Sequence, residues 1–129
     1  MPFQYVIYPQ YRLVVSTGEG RFTFEEACAH QDKLLSDPDF HPEFNQLIDG
    51  TTVTEYALSV GEIRMLVSRD IFAITSRRSF VVASPFMYGI ARMLKTYHEI
   101  SKGEPPTNIF RDRAEALKWL GIPEDSGLL

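Results

Sequence analysis

Polar side chains suited to binding a ligand are concentrated in residues 47–63, LIDGTTVTEYALSVGEI, directly after an apolar run. Carboxylates and hydroxyls in such a loop bind ligands or accept phosphate, but they also close turns and start helices by bonding to the backbone. Two later apolar runs are followed by polar residues too, and one of these, Arg111, is a cation that could bind an anion. The candidate ligand or partner loops therefore contain Asp49, Thr51, Thr52, Ser59, Ser84, Arg111 and Asp112.

Nucleophilic catalysis requires a nucleophile, a base and an orienting group. Ser84, His98 and Asp49 supply these residue types, but any chain of 129 residues contains such trios. Ser84 lies in the sequence A-S-P and lacks the flanking glycines of a hydrolase nucleophile turn. The sequence also has no glycine-rich phosphate-binding motif. We therefore predict that the protein is not an enzyme and has no catalytic residues.

Residue types that bind metals are few, and their spacing does not suit a metal site. His30, His41 and His98 share no ligand spacing with one another. Cys28, the single cysteine, falls on the apolar face of a predicted helix, so we expect it to be a buried hydrophobe. We predict no metal and no cofactor, with the histidines exposed to solvent or placed at helix ends.

The composition is that of an ordinary globular protein, with 23% charged residues and a formal net charge of −4. Its length of 129 residues predicts a single domain over residues 1–129. The acidic excess argues against a nucleic-acid partner. The first residues, MPFQYVIYPQYRLVV, lack a basic leader, and no segment approaches the roughly 20 apolar residues that a membrane-spanning helix needs. We predict a cytoplasmic protein with no membrane partner.

Apolar and β-branched runs predict five strands. FQYVIYPQYRLVVST predicts two strands joined at Pro9, and the glycines of TGEG are expected to end the second strand. NQLIDG predicts a short third strand, SFVVAS a central fourth strand and NIF a short fifth. DIFAITS, residues 70–76, either extends the second helix or packs irregularly, and residues 122–129 are expected to fray.

Four helices are predicted from apolar periodicity and from their starting residues. A cap residue with glutamate three positions later forms a capping box, which satisfies two free backbone N–H groups at the helix start. Ser84 followed by proline provides another common helix start. The capping-box spacing occurs at Thr23 with Glu26, at Ser59 with Glu62 and at Asp112 with Glu115.

The third predicted helix, PFMYGIARMLKTYHEI, is apolar on more than one side. Its core face is predicted to contain Phe86, Ile90, Met93, Leu94 and Tyr97. Either the helix is sandwiched within the monomer, or its second face contacts a partner. Tyrosine and methionine are common at interfaces, so we favour a homodimer or a protein partner. The candidate interface consists of Met87, Tyr88 and Ala91.

The element order β-β-α-β-α-β-α-β-α predicts an α/β protein with a mixed, mostly parallel five-stranded sheet and four helices. The first strand should be antiparallel because its connection is too short for a crossover. In open sheets of this kind, ligands bind at the carboxyl ends of the parallel strands. The candidate loops are expected to meet at that edge.

Several segments resemble the SpoIIAA-like family of small bacterial proteins, namely GEGRFTFEEA, LIDGT, LSVGEI, VVASPFMYGIARML and NIFRDRAEALKWLG. The likeness runs from about Tyr5 to Gly121, and its best markers are YGIARM and FRDRAEALKWLG. The resemblance implies the fold that STAS domains (sulfate transporter and anti-sigma-factor antagonist) share with lipid-binding Sec14 domains. It implies no particular activity, because most of the family has none assigned.

The resemblance to STAS regulators implies a non-enzymatic interaction or regulatory module. Anti-sigma antagonists of this type have an aspartate at the end of the central strand, then an Asp-Ser pair whose serine is phosphorylated by a partner kinase. Asp49 matches the aspartate, but Ala57 and Leu58 occupy the place of the pair and Ser59 comes one position late. The plain helix-capping role is therefore expected for Ser59, and phosphorylation at this helix start, where the helix dipole favours a negative charge, is the alternative.

The Sec14 relatives imply an alternative function, a sensor of a small molecule or lipid-type ligand. Met65, Met87 and Met93 could line such a pocket, although methionines at helical spacing are more often core residues. The pocket would lie at the carboxyl ends of the parallel strands. An enclosed cavity there would favour a ligand, and a flat face would favour a protein partner.

Overall fold

A computed structural model describes residues 3–102 and 107–129 of the chain. Within these residues, the predicted element order and the mixed five-stranded sheet are confirmed. Short 3-10 helices also occur at Pro9–Tyr11 and Glu124–Ser126. The main elements are β1 (Phe3–Tyr8), β2 (Leu13–Thr23), α1 (Phe24–Leu35), β3 (Asn45–Ala57), α2 (Val60–Ser68), β4 (Arg78–Val81), α3 (Pro85–Lys102), β5 (Thr107–Phe110) and α4 (Arg113–Trp119).

The strands follow one another across the sheet in the order β1-β2-β3-β4-β5, and only the β1–β2 pair is antiparallel among the described strands. The 3-10 turn at Pro9–Tyr11 joins this pair, closed by a bond from the Arg12 N–H to the Pro9 carbonyl at 3.1 Å. Parallel neighbours require helical crossovers, which are right-handed. Because all three crossovers advance in one direction, α1, α2 and α3 cover one face of the sheet, here called the three-helix face.

Side chains alternate between the two faces of the sheet. On one face, Leu47 and Val81 pack with Leu117 of α4. On the three-helix face, Phe80 packs with Ala91 of α3. The central strands are therefore buried on both sides, which explains why their sequences are almost continuously apolar.

Beyond Asp49, β2 and β3 continue as a two-stranded ribbon of residues 19–23 and 52–57, here called the β2–β3 ribbon. The predictions that TGEG ends β2 and that a loop follows Gly50 were wrong. Threonine and valine favour extended backbone, so the hydroxyl-rich segment forms a strand. Its pairing with β2 shifts register between Thr17 and Glu19 and again between Gly20 and Arg21. Gly20 has a φ of +65°, which a residue without Cβ adopts freely.

The β2–β3 ribbon bends over the three-helix face. Six residues of straight strand span roughly 20 Å, yet the Tyr56 hydroxyl lies only 2.8 Å from where a Cβ on Gly50 would stand. Phe22 and Val53 of the ribbon are buried in one cluster with Leu66 of α2. The ribbon thus forms an end wall of the interior on this side of the sheet.

The core face of helix α3 matches the predicted one only in part, since Leu94 packs in the core as predicted but Phe86 does not. Phe86, predicted to be a core residue, is 64% exposed, whereas Ala91 and His98 are buried at 3% and 4% exposure. Met87 packs in the same cluster as Ala91. The placement of Met87 and Ala91 off the core face was therefore wrong, while Tyr88 is exposed as predicted. The prediction used apolar residues alone and therefore did not assign the polar His98 to the core face.

Two irregular segments complete the core. Helix α2 ends at Ser68, and residues 70–76 pack irregularly, with Phe72 buried, so the second of the two alternatives for this segment holds. The prediction that residues 122–129 fray was wrong. Ile122 is buried, and Leu128 packs against the cluster beneath α4.

The predicted helix starts at Thr23, Ser59, Ser84 and Asp112 accept backbone bonds at the expected ends of their helices. At Ser59 the capping box is complete. The Ser59 hydroxyl oxygen accepts from the Glu62 N–H at 3.1 Å, and the Glu62 carboxylate accepts from the Ser59 N–H at 2.9 Å. Ser59 thus has the plain capping role expected for it.

Replacing Ser59 with alanine removes the acceptor for the Glu62 N–H and should lower the free energy of unfolding by about 1 kcal/mol. Ser59→Asp keeps an acceptor at the helix start and should remain near wild type. Urea unfolding followed by circular dichroism measures both values. Ser68→Ala, at the exposed end of the same helix, is the matched control, and equal losses in Ser59→Ala and Ser68→Ala would contradict the capping role.

Candidate functional site

Several candidate residues lie at one edge of the sheet. Asp49 pairs with Val81, and Val81 pairs with Phe110, so β3, β4 and β5 are level at this point. Ser84 and Arg111 follow the ends of β4 and β5. Thr51 lies just before the β2–β3 ribbon, Thr52 lies within it and Ser59 just beyond it.

The side chains at this edge bond to one another and to the backbone. One carboxylate oxygen of Asp49 accepts from the N–H and the hydroxyl of Thr51, at 3.0 and 2.7 Å. The other oxygen accepts from the guanidinium of Arg113 at 2.8 Å. The cation that contacts Asp49 is therefore Arg113 of α4, whereas Arg111 is exposed.

The remaining candidates make similar local bonds, which satisfy backbone groups at turns and helix starts. One trio of residues could supply a nucleophile, an orienting carboxylate and a base. Its members bond to different partners, and they are Ser84, Asp49 and His98. The local bonds run from the Thr52 hydroxyl to the Gly18 carbonyl (2.6 Å), from the Ala114 N–H to Asp112 (3.2 Å) and from the Met87 N–H to Ser84 (3.2 Å).

A cavity of about 120 Å³ lies between the three-helix face of the sheet and the helices α1, α2 and α3. It is partly open to solvent. Tyr56 of the β2–β3 ribbon lines it near the carboxyl ends of the strands, and residues 70–72 line it near the amino end of β4. Most of its wall is apolar and includes Phe22, Val53, Leu66, Phe80, Ala91 and Leu94.

Three ionisable side chains meet at the amino-terminal end of the cavity. Arg78, the first residue of β4, donates to Asp70, and its other terminal nitrogen lies 3.0 Å from Nε2 of His98. The Arg78 guanidinium also lies over the ring of Phe72 at 4.6 Å. Burial by itself raises the pKa of Asp70, but the charge and hydrogen bond of Arg78 and the N–H of Phe72 outweigh burial and lower that pKa.

A second polar group, Ser16, His30 and Gln46, lies between β2, β3 and α1. The Gln46 amide donates to the Ser16 hydroxyl oxygen at 3.0 Å, and this oxygen lies 2.9 Å from Nε2 of His30. The His30 ring stacks on Phe3, with ring centroids 4.5 Å apart. Burial, and after it the charge of Lys33, lowers the pKa of His30 to about 4, so the imidazole is neutral near pH 7.

Tyr56 places a hydroxyl near the carboxyl-terminal end of the cavity. A Cβ on Gly50 would come within 2.8 Å of this hydroxyl, so glycine leaves the space that the tyrosine occupies. The Tyr56 ring packs edge-on to Phe22, at 5.6 Å between centroids. Burial, and after it the charge of Asp49, raises the pKa of Tyr56 to about 12, so the hydroxyl keeps its proton and can donate.

Both polar groups of the cavity were missed in the sequence, although a signal was present. Ser16 and Gln46 interrupt apolar strands at buried positions, and a buried polar group requires a hydrogen-bond partner. His98 lies seven residues after Ala91, two helical turns on the same side of α3. The prediction that the histidines are exposed or serve helix ends was wrong for His98, which is buried, and for His30, which lines the cavity.

Two features bear on metals and membranes. In the described ranges, 3–102 and 107–129, no group of three His, Cys, Asp or Glu side chains is placed to hold a metal ion. No helix in this part of the chain has the length and apolar character needed to cross a membrane. Cys28, expected to be buried, is only partly buried.

No protein-family model matches the sequence, and no curated protein matches it. A similar solved structure is the crystal structure of an uncharacterized protein of the DUF3478 family from Shewanella loihica PV-4, described as having a SpoIIAA-like fold. The two chains are 17% identical with a TM-score of 0.59, and the match covers 92% of this chain and 91% of that chain. The chain therefore has the SpoIIAA-like fold that its sequence motifs predicted.

Proposed function

We propose that this domain is a non-enzymatic regulatory module that binds a small molecule in the cavity between its sheet and the helices α1, α2 and α3. The observation that supports the proposal is the cavity of about 120 Å³, with mostly apolar walls and polar side chains at both ends. Small-molecule sites combine a concave, mostly apolar surface with a few placed polar groups. The site lies beneath the helices and not in the loops at the strand ends.

The cavity volume sets the size of the ligand. Packed protein interiors contain few voids larger than a water molecule. Since water occupies about 30 Å³ per molecule in the liquid, a void of about 120 Å³ has room for about four waters or one compact organic molecule. A cavity of about 150 Å³ engineered into another protein binds benzene. A single small ring is therefore the right scale, and a phospholipid is too large.

The placement of reactive side chains supports a binding role over catalysis. Ser84, Asp49 and His98 bond to separate partners in different parts of the fold. Ser16 lies beside His30, as a nucleophile lies beside its base, but its oxygen also accepts a hydrogen bond from a glutamine amide. That bond draws electron density from the oxygen and weakens it as a nucleophile.

A second candidate function, binding of a protein partner or a second copy of the chain, has one observation in its favour. Val60 and Phe86, at the starts of α2 and α3, are 50% and 64% exposed. The ring centroids of Phe86 and Tyr56 are 6.3 Å apart, and Tyr56 lines the cavity. An exposed apolar surface next to the ligand site is where a regulatory domain of STAS type would present its bound state to a partner.

Toluene is a suitable first probe of the cavity, since it is one apolar ring. Wild-type protein should be stabilised against heat by toluene, because ligands that bind only the folded state raise its stability. NMR signals of the cavity-lining residues Ala27, Ile48 and Ala91 should shift. Ala27→Leu fills the cavity and should abolish both effects, whereas Ala29→Leu, exposed on the same helix, should keep them.

Two results of the toluene titration would refute the cavity as a binding site. No effect of toluene on the wild type would contradict the proposal. Equal toluene binding in Ala27→Leu and Ala29→Leu would show that the probe binds elsewhere, and would contradict it too. If Ala27→Leu does not fold, Ala91→Val adds volume from α3 and serves the same purpose.

Phe86→Ser should weaken self-association without a large loss of stability, because the side chain is mostly exposed. Sedimentation velocity over a range of protein concentrations measures the association. Ile100→Ser is the matched control, since Ile100 is 73% exposed on the same helix but far from its start. A wild type that stays monomeric, or equal effects of the two variants, would rule out Phe86 as part of a dimer interface.

A further inference from the structure

The charged side chains that line the cavity already have partners within the protein. Arg78 donates to Asp70 at one end, and Asp49 accepts from Arg113 at the other. Among the cavity-lining residues that the structure describes, no further aspartate, glutamate, lysine or arginine occurs. A charged ligand would lose its water of hydration and meet only charges that are already neutralised, which carries a large desolvation cost.

The hydrogen bonds around His30 indicate which ring nitrogen carries the proton. The Ser16 hydroxyl is buried and its oxygen accepts from the Gln46 amide, and among the described residues Nε2 of His30 is the acceptor within hydrogen-bond distance of its proton. A neutral imidazole has one donor nitrogen and one acceptor nitrogen. The ring proton is therefore assigned to Nδ1, which makes no hydrogen bond within residues 3–102 and 107–129.

We infer that the cavity takes small uncharged ligands that carry a hydrogen-bond acceptor, such as a cyclic ketone, and that the Nδ1–H of His30 binds the acceptor. This inference rests on the proposed small-molecule function and narrows its ligand class.

The imidazole of His30 is held in place before any ligand arrives. Phe3 stacks on it at an interplanar angle of 14°, and Tyr5 contacts it edge-on at 5.6 Å between centroids. Ser16 fixes the other nitrogen. A donor that is already oriented loses little conformational entropy on binding, so its hydrogen bond contributes more fully to affinity.

The tautomer and charge of His30 can be measured without a ligand, by two-bond ¹H–¹⁵N correlation spectra of uniformly labelled protein. We expect Nδ1 to carry the proton at pH 7 and the ring to titrate with a pKa of about 4. The groups that face the ring are Phe3 and Tyr5 from β1, Ser16 from β2 and Lys33 from α1. A proton on Nε2 at pH 7 would overturn the inference.

The low pKa of His30 also predicts a pH dependence of stability. A histidine in the unfolded chain titrates near pH 6.5, so between about pH 6.5 and pH 4 the unfolded state binds more protons at this position. The contribution of His30 is therefore complete above pH 6.5 and is lost as the pH falls toward 4. Urea unfolding at several pH values should show a smaller loss over this range for His30→Phe than for the wild type. Equal losses would contradict the lowered pKa.

The ligand class is tested with five-membered rings that differ in one substituent, with binding measured by NMR titration. Cyclopentanone should bind about three- to tenfold more tightly than methylenecyclopentane, which has the same shape without the acceptor, as expected for one neutral hydrogen bond. Cyclopentylammonium and cyclopentanecarboxylate should bind more weakly than both. His30→Phe keeps the apolar volume and should remove the preference for the ketone.

Tyr56→Phe is the matched control, since it removes the hydroxyl that lines the other end of the cavity, and it should keep the ketone preference. Equal affinities of ketone and alkene for the wild type, tighter binding of the carboxylate, or loss of the preference in Tyr56→Phe alone would overturn the inference. Those results leave toluene binding, and hence the proposed function, intact. Failure of toluene and of every ring to bind would instead refute the proposed function itself.

Discussion

The direction of the crossovers is the constraint on which the rest of the structure depends. The parallel strands follow one another as β2-β3-β4-β5, so every right-handed connection adds a helix to the same side of the sheet. Three helices then share one face, while the seven-residue α4 covers the other. Ile122 and Leu128 complete that thinner layer, which explains why the chain beyond α4 is packed. The cavity lies on the side with three helices, where the β2–β3 ribbon bends over its end.

The buried Arg78–Asp70 pair is better explained by positioning than by stability. Replacing a buried ion pair with apolar residues of similar volume is often neutral or stabilising. Here the pair connects the start of β4 to the irregular segment at 70–76, and Asp70 also accepts from the Phe72 N–H at 3.2 Å. His98 joins α3 to the same cluster. The start of β4, the irregular segment at 70–76 and helix α3 are thus held together around one end of the cavity.

The predictable part of the fold is the part decided locally. The capping box at Ser59 needs only residues 59–62, and the alternation of apolar runs is enough for the order of strands and helices. The β2–β3 ribbon was not predictable in this way, because glycines at 18 and 20 normally interrupt a strand, whereas here they lie within β2, opposite register shifts in its pairing with β3. His98 lies on the buried face of α3, where its partners Arg78 and Asp70 come from elements distant in sequence. Long-range pairing of polar residues is not visible in the periodicity of the apolar residues.

The same constraint explains why the proposed site is not at the strand ends. Ligands bind at the carboxyl edge of open α/β sheets where the strand order reverses, because neighbouring crossovers then leave on opposite faces and open a crevice. From β2 to β5 the order in this sheet never reverses. Asp49 accordingly bonds to Thr51 and Arg113 and tethers α4 to β3. The sheet therefore has no such crevice at its edge among the described strands. The cavity lies beneath the helices, where His30 and Arg78 line it.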